Sequence, residues 1–344
     1  MPICVDAKQY SYSNLRSDGW PRHIRPSQRR KDLCRSVNIG LINNMPQAAF
    51  TATERQFASV LDAASEGIEV RLSLYSLLDI PKRAPGDNYT PLYYSSIDKL
   101  WEADLDALIV TGKEPVTVNL RDEPCWESLT QVLEWARENT VSAVWSCLAA
   151  HAAVLYLDGI SRHKGEKKHF GVFDCAHVSS HPLTAGAPER FQIPHSRWNS
   201  LSEEELVSRG YSVLTRINGG GVDAFIKDGN SLFVFFQGHP EYDADTLLRE
   251  YRRDVGRYLN NEATTHPSIP FGYFDSSTEA VLTDLRDKAI SCRSEELFAS
   301  VCTALETTSV KNSWRPTMAR IYRNWLEYVC ARKSGSQLDD ANVA

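Results

Sequence analysis

The sequence lacks the patterns that mark several common functional classes. It contains 8 cysteines, but no two of them form a Cys-x-x-Cys pair. Their scattered spacing fits neither a disulfide framework nor a structural zinc site. No Gly-x-Gly-x-x-Gly or Walker pattern follows a predicted strand, because the glycine-rich tract Asn218–Val222 reads as a turn. We therefore expect no metal site and no nucleotide-binding loop of these kinds.

Long apolar runs and an excess of positive charge are also missing. The most apolar run, Val141–Leu157, is interrupted by Ser146, Cys147 and His151 and is too short to span a bilayer comfortably. No N-terminal stretch has the apolar core of a signal peptide. The net charge of -6 argues against a general nucleic-acid binder. We expect a cytoplasmic protein with reduced thiols that binds neither membranes nor nucleic acid.

The 344 residues can bury a large core, as one α/β domain or as a domain with a substantial insertion. Hydrophobic content of 42% and charged content of 24% are ordinary for a globular protein. Residues 1–35 are polar and locally basic, and we expect a partly flexible N-terminal arm. We assign residues 36–332 to a single domain and residues 333–344 to a disordered tail.

Predicted strands and helices alternate along the first half of the chain. The predicted strands are Val37–Leu41, Ile68–Leu74, Leu105–Val110 and Val141–Trp145. The predicted helices are Thr53–Ala64, Cys125–Asn139 and the segment after Cys147. Alternation of this kind, with continuously apolar strands, indicates an α/β fold with a mostly parallel sheet and helices on both faces.

The second half of the chain begins with shorter strands and ends in helices. The predicted strands, which indicate β-rich additions to the sheet, are His169–Phe173, Tyr211–Ile217, Ala224–Lys227 and Leu232–Phe236. The predicted helices are Leu247–Leu259, Ala280–Leu305 and Arg315–Arg332.

Cys147 lies where an apolar strand meets a helix. Ligands collect at the carboxyl ends of parallel strands, and the unpaired N–H groups at a helix N-terminus favour an anion there. A thiolate in this place is stabilised and acts as a nucleophile. The alternative is that Cys147 is a small buried apolar residue, and this segment alone leaves both interpretations open.

A second strand end carries His239 and Glu241, directly after the apolar run that closes at Gly238. A nucleophilic thiol needs a base, and that base needs an acceptor on its other ring nitrogen. Histidine and glutamate on one turn can supply both. Two such strand ends in one parallel sheet favour a Cys–His–Glu triad over a loop histidine with an exposed glutamate.

Several short motifs, in their order and spacing, resemble those of the homoserine O-succinyltransferase/O-acetyltransferase family over roughly residues 36–332. They include Asn43–Pro46, Thr53–Phe57, Leu108–Gly112, Pro194–Arg197 and, most specific, Gly238–Asp243 followed by Glu250–Asp254. The resemblance implies a class I glutamine amidotransferase-like fold with a flavodoxin-like core. It also implies a homoserine O-acyltransferase of methionine-type amino-acid biosynthesis.

The resemblance assigns roles to individual residues. Cys147 matches the residue that accepts the acyl group, His239 the general base and Glu241 the residue that orients it. Further matches are the substrate-binding positions Lys168, Ser196 and Arg253 and the acyl-specificity position Val116. Arginine suits an amino-acid carboxylate because its planar fork holds both oxygens. Glu250, one helical turn from Arg253, is in a position to meet the substrate ammonium group.

The reaction expected from these roles has two halves. The Cys147 thiolate takes the acyl group from an acyl-CoA co-substrate, and a hydroxyl deprotonated by His239 then attacks the thioester. Both halves pass through an oxyanion, for which the backbone N–H groups of Leu148 and Lys113 are the natural donors. We expect no permanently bound cofactor, small-molecule substrates and, by the resemblance, a homodimer.

The match departs from the family pattern near the expected acyl donor. Val116 replaces the glycine that is typical of succinyl transfer and the glutamate that is typical of acetyl transfer. The loop Lys113–Val116 is unusual, Gln47–Ala49 lacks a common lysine, and the segment Trp145–Ala149 differs from the usual Cys-Trp elbow. Succinyl-CoA and acetyl-CoA therefore both stay open as donors, and serine or a relative of homoserine stays open as acceptor.

Three other functions use the same features. A glutamine amidotransferase shares the His-Pro-Glu turn, but its elbow normally has glycines and a glutamine where Ser146, Ala149 and His151 stand here. A cysteine hydrolase differs only in whether water reaches the acyl-enzyme. A non-catalytic binding protein would have no need for the intact set of Cys147, His239, Glu241 and Arg253.

Overall fold

The computed structural model describes residues 4–5, 35–77 and 94–341 of the chain. The predicted N-terminal arm, residues 1–35, lies outside these ranges except for Cys4–Val5 and Arg35. The two residues Cys4–Val5 form a short strand that pairs in parallel with Arg71–Leu72. This pairing places Cys4–Val5 at one edge of the sheet.

The described strands form one mixed sheet. They are β1 (Cys4–Val5), β2 (Ser36–Ile42), β3 (Glu69–Ser76), β4 (Tyr94–Ser96), β5 (Ala107–Val110), β6 (Ser142–Ser146), β7 (His163–His177), β8 (Arg190–Ser200), β9 (Ser212–Ile217), β10 (Gly221–Lys227) and β11 (Leu232–Phe236). Their order is β1-β3-β2-β5-β6-β11-β10-β9-β7-β8, with β4 also beside β3. Neighbours from β1 to β11 in this order are parallel, and those from β11 to β8 are antiparallel.

Helices cover both faces of this sheet. They are α1 (Gln47–Ala64), α2 (Trp126–Asn139), α3 (Leu148–Asp158), α4 (Glu203–Ser208), α5 (Thr246–Leu259), α6 (Ser276–Ser291), α7 (Glu295–Glu306) and α8 (Arg315–Ala341). The predicted α/β class, with a mostly parallel core and β-rich additions, is therefore confirmed. Of the helices in the described ranges, none combines the length and apolar surface that a membrane span requires.

The central strands are apolar on both sides, because each side meets its own layer of helices. Along β11, Val234 and Phe236 pack in one core with α1, α5, α6, α7 and α8. Phe233 and Phe235 pack in the other core with α2 and α3. Residues that alternate along a strand point to opposite faces, so this double burial explains the continuously apolar runs.

Several predicted elements differ from those in the structure. The helix predicted over Ala280–Leu305 is two helices, because Cys292 is extended and the hydroxyl of Ser294 caps α7 by accepting the N–H of Leu297. The strand β8 was not predicted. The last helix continues past 332 to Ala341, and within this extension Lys333 forms an ion pair with Asp106 at 2.8 Å. The tail predicted as disordered is thus helical over residues 333–341.

The start of α8 supports the turn that follows β11. The buried Trp314 donates its indole N–H to the carbonyl of Tyr242 at 2.9 Å. Arg315 donates to the carbonyls of Glu241 and Tyr242 and forms an ion pair with Asp243. The carbonyls of this turn are therefore held by the last helix of the described chain.

We predict that Trp314→Phe destabilises the protein by about 1–3 kcal/mol, because the Tyr242 carbonyl loses its shortest hydrogen bond and the smaller phenyl ring leaves part of the buried space empty. The free energy of unfolding in urea measures the change. Trp198→Phe is the control, since Trp198 is half-exposed, and its effect should stay below about 0.5 kcal/mol. Equal losses in both variants would contradict the role given to this hydrogen bond.

Candidate active site

Cys147 stands alone between β6 and α3 in a strained backbone conformation. Its φ of 51° and ψ of -112° lie outside the regions that non-glycine residues usually occupy. Such a conformation costs on the order of 1–3 kcal/mol and persists where the surrounding structure enforces it. The N–H of Cys147 donates to the carbonyl of Phe236 at 2.7 Å, which ties this sharp turn to the end of β11.

Gly112, which follows β5, lies directly against this turn. A Cβ atom at Gly112 would come within 2.7 Å of the Leu148 nitrogen and 2.9 Å of the Ser146 oxygen. Only glycine therefore allows the end of β5 to approach the N-terminus of α3 this closely. The approach brings the Gly112–Lys113 backbone beside the amide of Leu148, the two groups predicted to form an oxyanion hole.

His239 and Glu241 form a hydrogen-bonded pair beside the thiol. The Nδ1 atom of His239 lies 2.9 Å from Oε1 of Glu241, which is buried, and the Cys147 sulfur lies close enough to help raise the pKa of the imidazole. The His239 backbone N–H donates to Pro194, and its ring stacks on Tyr242 with centroids 4.1 Å apart. The structure thus brings Cys147, His239 and Glu241 together in the order of a triad.

The pKa of His239 is held well above its ordinary value by this arrangement. Burial by itself lowers the pKa of an imidazole, but here the Glu241 carboxylate and the Cys147 sulfur more than offset it. The site therefore favours the protonated form of His239 beside Cys147.

Glu250 and Ser196, both predicted to bind substrate, are hydrogen-bonded neighbours. Glu250 Oε2 accepts the hydroxyl of Ser196 at 2.6 Å, and Glu250 Oε1 accepts the hydroxyl of Tyr242 at 2.5 Å. Burial and the charge of Glu250 raise the pKa of Tyr242 well above its ordinary value. Because Tyr242 also stacks on His239, it connects the triad to the Ser196–Glu250 pair. Sequence analysis did not single out Tyr242.

Lys168 and Arg253, the other two predicted substrate-binding residues, share one carboxylate. Arg253 donates to Oδ1 of Asp254 at 2.8 Å, and Nζ of Lys168 lies 3.7 Å from Oδ2. The Arg253 side chain remains 47% exposed, and its Nη1 atom forms no hydrogen bond with a described residue. The pKa of Arg253 is raised because the charge of Asp254 outweighs burial. Asp254 was not predicted as a site residue.

The loop that carries Val116 is held by a single buried carboxylate. Glu123 Oε1 accepts the backbone N–H groups of Val116 and Thr117, each at 2.7 Å, and the hydroxyl of Thr117 at 2.8 Å. Its Oε2 forms an ion pair with Lys113 at 2.7 Å. The Val116 side chain itself is exposed. Glu123 therefore sets the shape of this loop, and no sequence pattern had pointed to it.

Beneath the triad lies a second polar network that sequence analysis also missed. Arg197 donates to Nδ1 of His195, whose Nε2 lies 3.2 Å from Oδ1 of Asp223, and all three side chains are buried. Burial lowers the pKa of His195 to about 4. A Cβ atom at Gly238 would come within 2.7 Å of Asp223. The network thus packs directly under the turn that presents His239.

Within residues 35–77 and 94–341, no group of three or more His, Cys, Asp or Glu residues is arranged to hold a metal ion.

Comparisons with known proteins point to one family. A family model described as homoserine O-succinyltransferase matches residues 2–336. The homoserine O-succinyltransferase of Methylorubrum extorquens is 41% identical over 96% of this chain and 96% of its own length. That of Rhodopseudomonas palustris is 42% identical over 86% of this chain and 89% of its own length.

The chain belongs to the homoserine O-succinyltransferase family. The predicted family and the predicted class of enzyme, a homoserine O-acyltransferase, are thereby confirmed. Among solved structures, a glutamine amidotransferase from Methylobacillus flagellatus is 15% identical with a TM-score of 0.47, over 86% of this chain and 95% of that one. The roles of individual site residues in this family member stay predictions.

We predict that Glu241→Gln slows alkylation of Cys147 by iodoacetamide at neutral pH by at least about tenfold. Loss of the carboxylate charge lowers the pKa of His239, so that fewer molecules hold the imidazolium beside a thiolate. Mass spectrometry of the peptide that contains Cys147 measures the rate as a function of pH. The exposed Glu204→Gln is the control, and an unchanged rate in Glu241→Gln would contradict the coupling.

Proposed function

We propose that the protein transfers a succinyl group from succinyl-CoA to the side-chain hydroxyl of homoserine through a thioester on Cys147. The observation that carries the proposal is the placement of Cys147 and of the hydrogen-bonded His239–Glu241 pair at the ends of two neighbouring strands, β6 and β11. It is supported by relatives that are named homoserine O-succinyltransferase.

In the first half-reaction the Cys147 thiolate attacks the thioester carbon of acyl-CoA. The bond between that carbon and the CoA sulfur breaks, and the protonated His239 gives its proton to the departing thiolate. Free CoA leaves, His239 is neutral and Cys147 carries the acyl group. The raised pKa of His239 suits this step, because the imidazole then holds its proton before the attack.

In the second half-reaction the neutral His239 takes the proton of the acceptor hydroxyl. The hydroxyl oxygen attacks the thioester carbon, and the bond between that carbon and the Cys147 sulfur breaks. This restores the thiolate beside an imidazolium, the state that the Glu241 charge favours. The two halves form a ping-pong cycle, in which His239 gives one proton in the first half and takes one back in the second.

Both half-reactions form a tetrahedral oxyanion next to the elbow. We assign its stabilisation to the backbone N–H groups of Leu148 and Lys113. Support for this assignment comes from the close packing of Gly112 on the Leu148 nitrogen. Donors on rigid backbone need no rearrangement as the charge develops.

We place the amino-acid acceptor between Arg253 and Glu250. The exposed Nη1 end of Arg253 binds the substrate carboxylate, and Glu250, oriented by Ser196 and Tyr242, faces the ammonium group. Lys168 acts with Arg253 around Asp254. Tyr242 stacks on His239 and donates to Glu250, so the group that faces the acceptor ammonium is positioned next to the general base.

We further propose that the protein works in the cytoplasm as a homodimer in methionine-type amino-acid biosynthesis, as resemblance to the family implies. Its substrates would be the acyl-CoA and a hydroxy amino acid. Sedimentation velocity tests the dimer, and a monomer at micromolar concentration would contradict it.

The thioester should be visible as a covalent adduct by intact-protein mass spectrometry. We predict that succinyl-CoA acylates Cys147 and that homoserine then removes the adduct. The variant Cys147→Ala should form no adduct, whereas Cys292→Ala, which lacks an exposed cysteine, should behave like the native protein. Acetyl-CoA and serine are tested in parallel, and an adduct formed only with acetyl-CoA or removed only by serine would reassign that substrate. Absence of any adduct would contradict acyl transfer.

We predict that Arg253→Ala lowers kcat/KM for homoserine by roughly 10- to 100-fold, which is the loss expected for a charge-assisted hydrogen bond to a carboxylate. The rate of Cys147 acylation should change little, because the donor binds elsewhere. Arg252→Ala, an exposed neighbour, is the control. Loss of acylation with retained affinity for homoserine would contradict this placement of the acceptor.

A further inference from the structure

Arg162 contacts the loop that carries Val116. It lies between the end of α3 and the start of β7, where Gly159 ends the helix in a left-handed conformation. The Arg162 guanidinium donates to the carbonyl of Val118 at 3.2 Å and is half-buried. It therefore contacts this loop while part of its side chain stays accessible to solvent.

The two cations at this loop, Lys113 and Arg162, differ in whether a carboxylate pairs with them. Lys113 is neutralised by Glu123 at 2.7 Å, and the same carboxylate is occupied by Thr117 and the loop backbone. Arg162 interacts with Glu123 only at longer range, and it forms no ion pair with a described residue. One cation at this loop is thus committed to a carboxylate, and the other has a single carbonyl as its partner.

The loop links Arg162 to the nucleophile, because Glu123 ties Val116 and Thr117 to Lys113, and Gly112 beside Lys113 packs against the Leu148 nitrogen. The Cys147 sulfur and Glu123 both favour the charged guanidinium, but burial outweighs them and lowers the pKa of Arg162. A half-buried cation without a paired anion is unfavourable. Its cost is relieved when a carboxylate binds, and the planar guanidinium is suited to hold both carboxylate oxygens.

We propose that Arg162 binds the distal carboxylate of a dicarboxylic acyl group while its thioester carbon is at Cys147. This inference rests on the proposed acyl-thioester chemistry and names the residue that makes the site selective for a diacid. Neither Val116 nor Val118 offers a charge for that purpose, although both are exposed on the same loop. Arg162 would act in the first half-reaction and would leave the acceptor side unaffected.

The test compares two donors that share coenzyme A and a four-carbon chain. Succinyl-CoA carries the distal carboxylate, and butyryl-CoA ends in a methyl group. Rapid-quench mass spectrometry gives the second-order rate constant for acylation of Cys147 by each. Native protein should prefer succinyl-CoA, and Arg162→Gln should lower its rate constant roughly 10- to 100-fold, as expected for loss of a charge-assisted carboxylate contact.

With butyryl-CoA, the Arg162→Gln variant should keep its rate constant within about threefold, since that donor does not use the guanidinium. Arg162→Lys, which keeps the charge but not the fork, should fall between native protein and Arg162→Gln. Lys164→Gln is the matched control, because Lys164 is a nearby exposed cation that lies over the ring of Trp198. It should leave both rate constants unchanged. Circular dichroism establishes that each variant is folded.

Two outcomes would overturn the inference. Equal losses for succinyl-CoA and butyryl-CoA would place Arg162 on the shared coenzyme A, for example on a phosphate. Unchanged rates for both donors would exclude a role in donor binding. Failure of the proposed function itself looks different, because native Cys147 would then be acylated by neither donor.

Discussion

The site depends on the hydrogen bond from the Cys147 N–H to the Phe236 carbonyl. It continues the parallel pairing of β6 with β11, in which Ser146 lies opposite Phe236, by one residue beyond the end of the strand. Because of that register, the nucleophile leaves one strand beside the place where His239 follows the other. A shift of one residue would turn every side chain of β11 to the opposite face and would separate the thiol from its base.

Neighbouring carboxylates then determine whether each cation near the thiol can bind a substrate anion. Glu241 holds the proton on His239, Glu123 neutralises Lys113, and Asp254 is shared by Arg253 and Lys168. Each pair fixes the position of a cation and lowers its affinity for an external anion. The cations that keep an unpaired edge are therefore the ones that can recognise a substrate.

The strands and helices that carry the chemistry were predictable because they are long and apolar. Cys147 and His239 follow strands that are buried on both faces. The carboxyl ends of such parallel strands lie at one edge of the sheet, independently of the loop conformations. Their partners were harder to foresee. Glu123, Asp254 and Tyr242 lie on a loop, an exposed helix face and a turn, where charged and aromatic residues are ordinary. The buried Asp223 comes from an antiparallel strand, and its pairing with His195 depends on the unpredicted strand β8. Their roles arise only from tertiary contacts, which no local pattern records.

The support that Trp314 and Arg315 give to the turn after β11 has a consequence for synthesis of the protein. Both residues follow the elbow, the base and all strands of the sheet in the chain. During translation the nucleophile and its base emerge from the ribosome before the residues that hold the Glu241–Tyr242 carbonyls in place. The nascent chain therefore lacks the hydrogen bonds that hold this turn until Trp314 and Arg315 have been made.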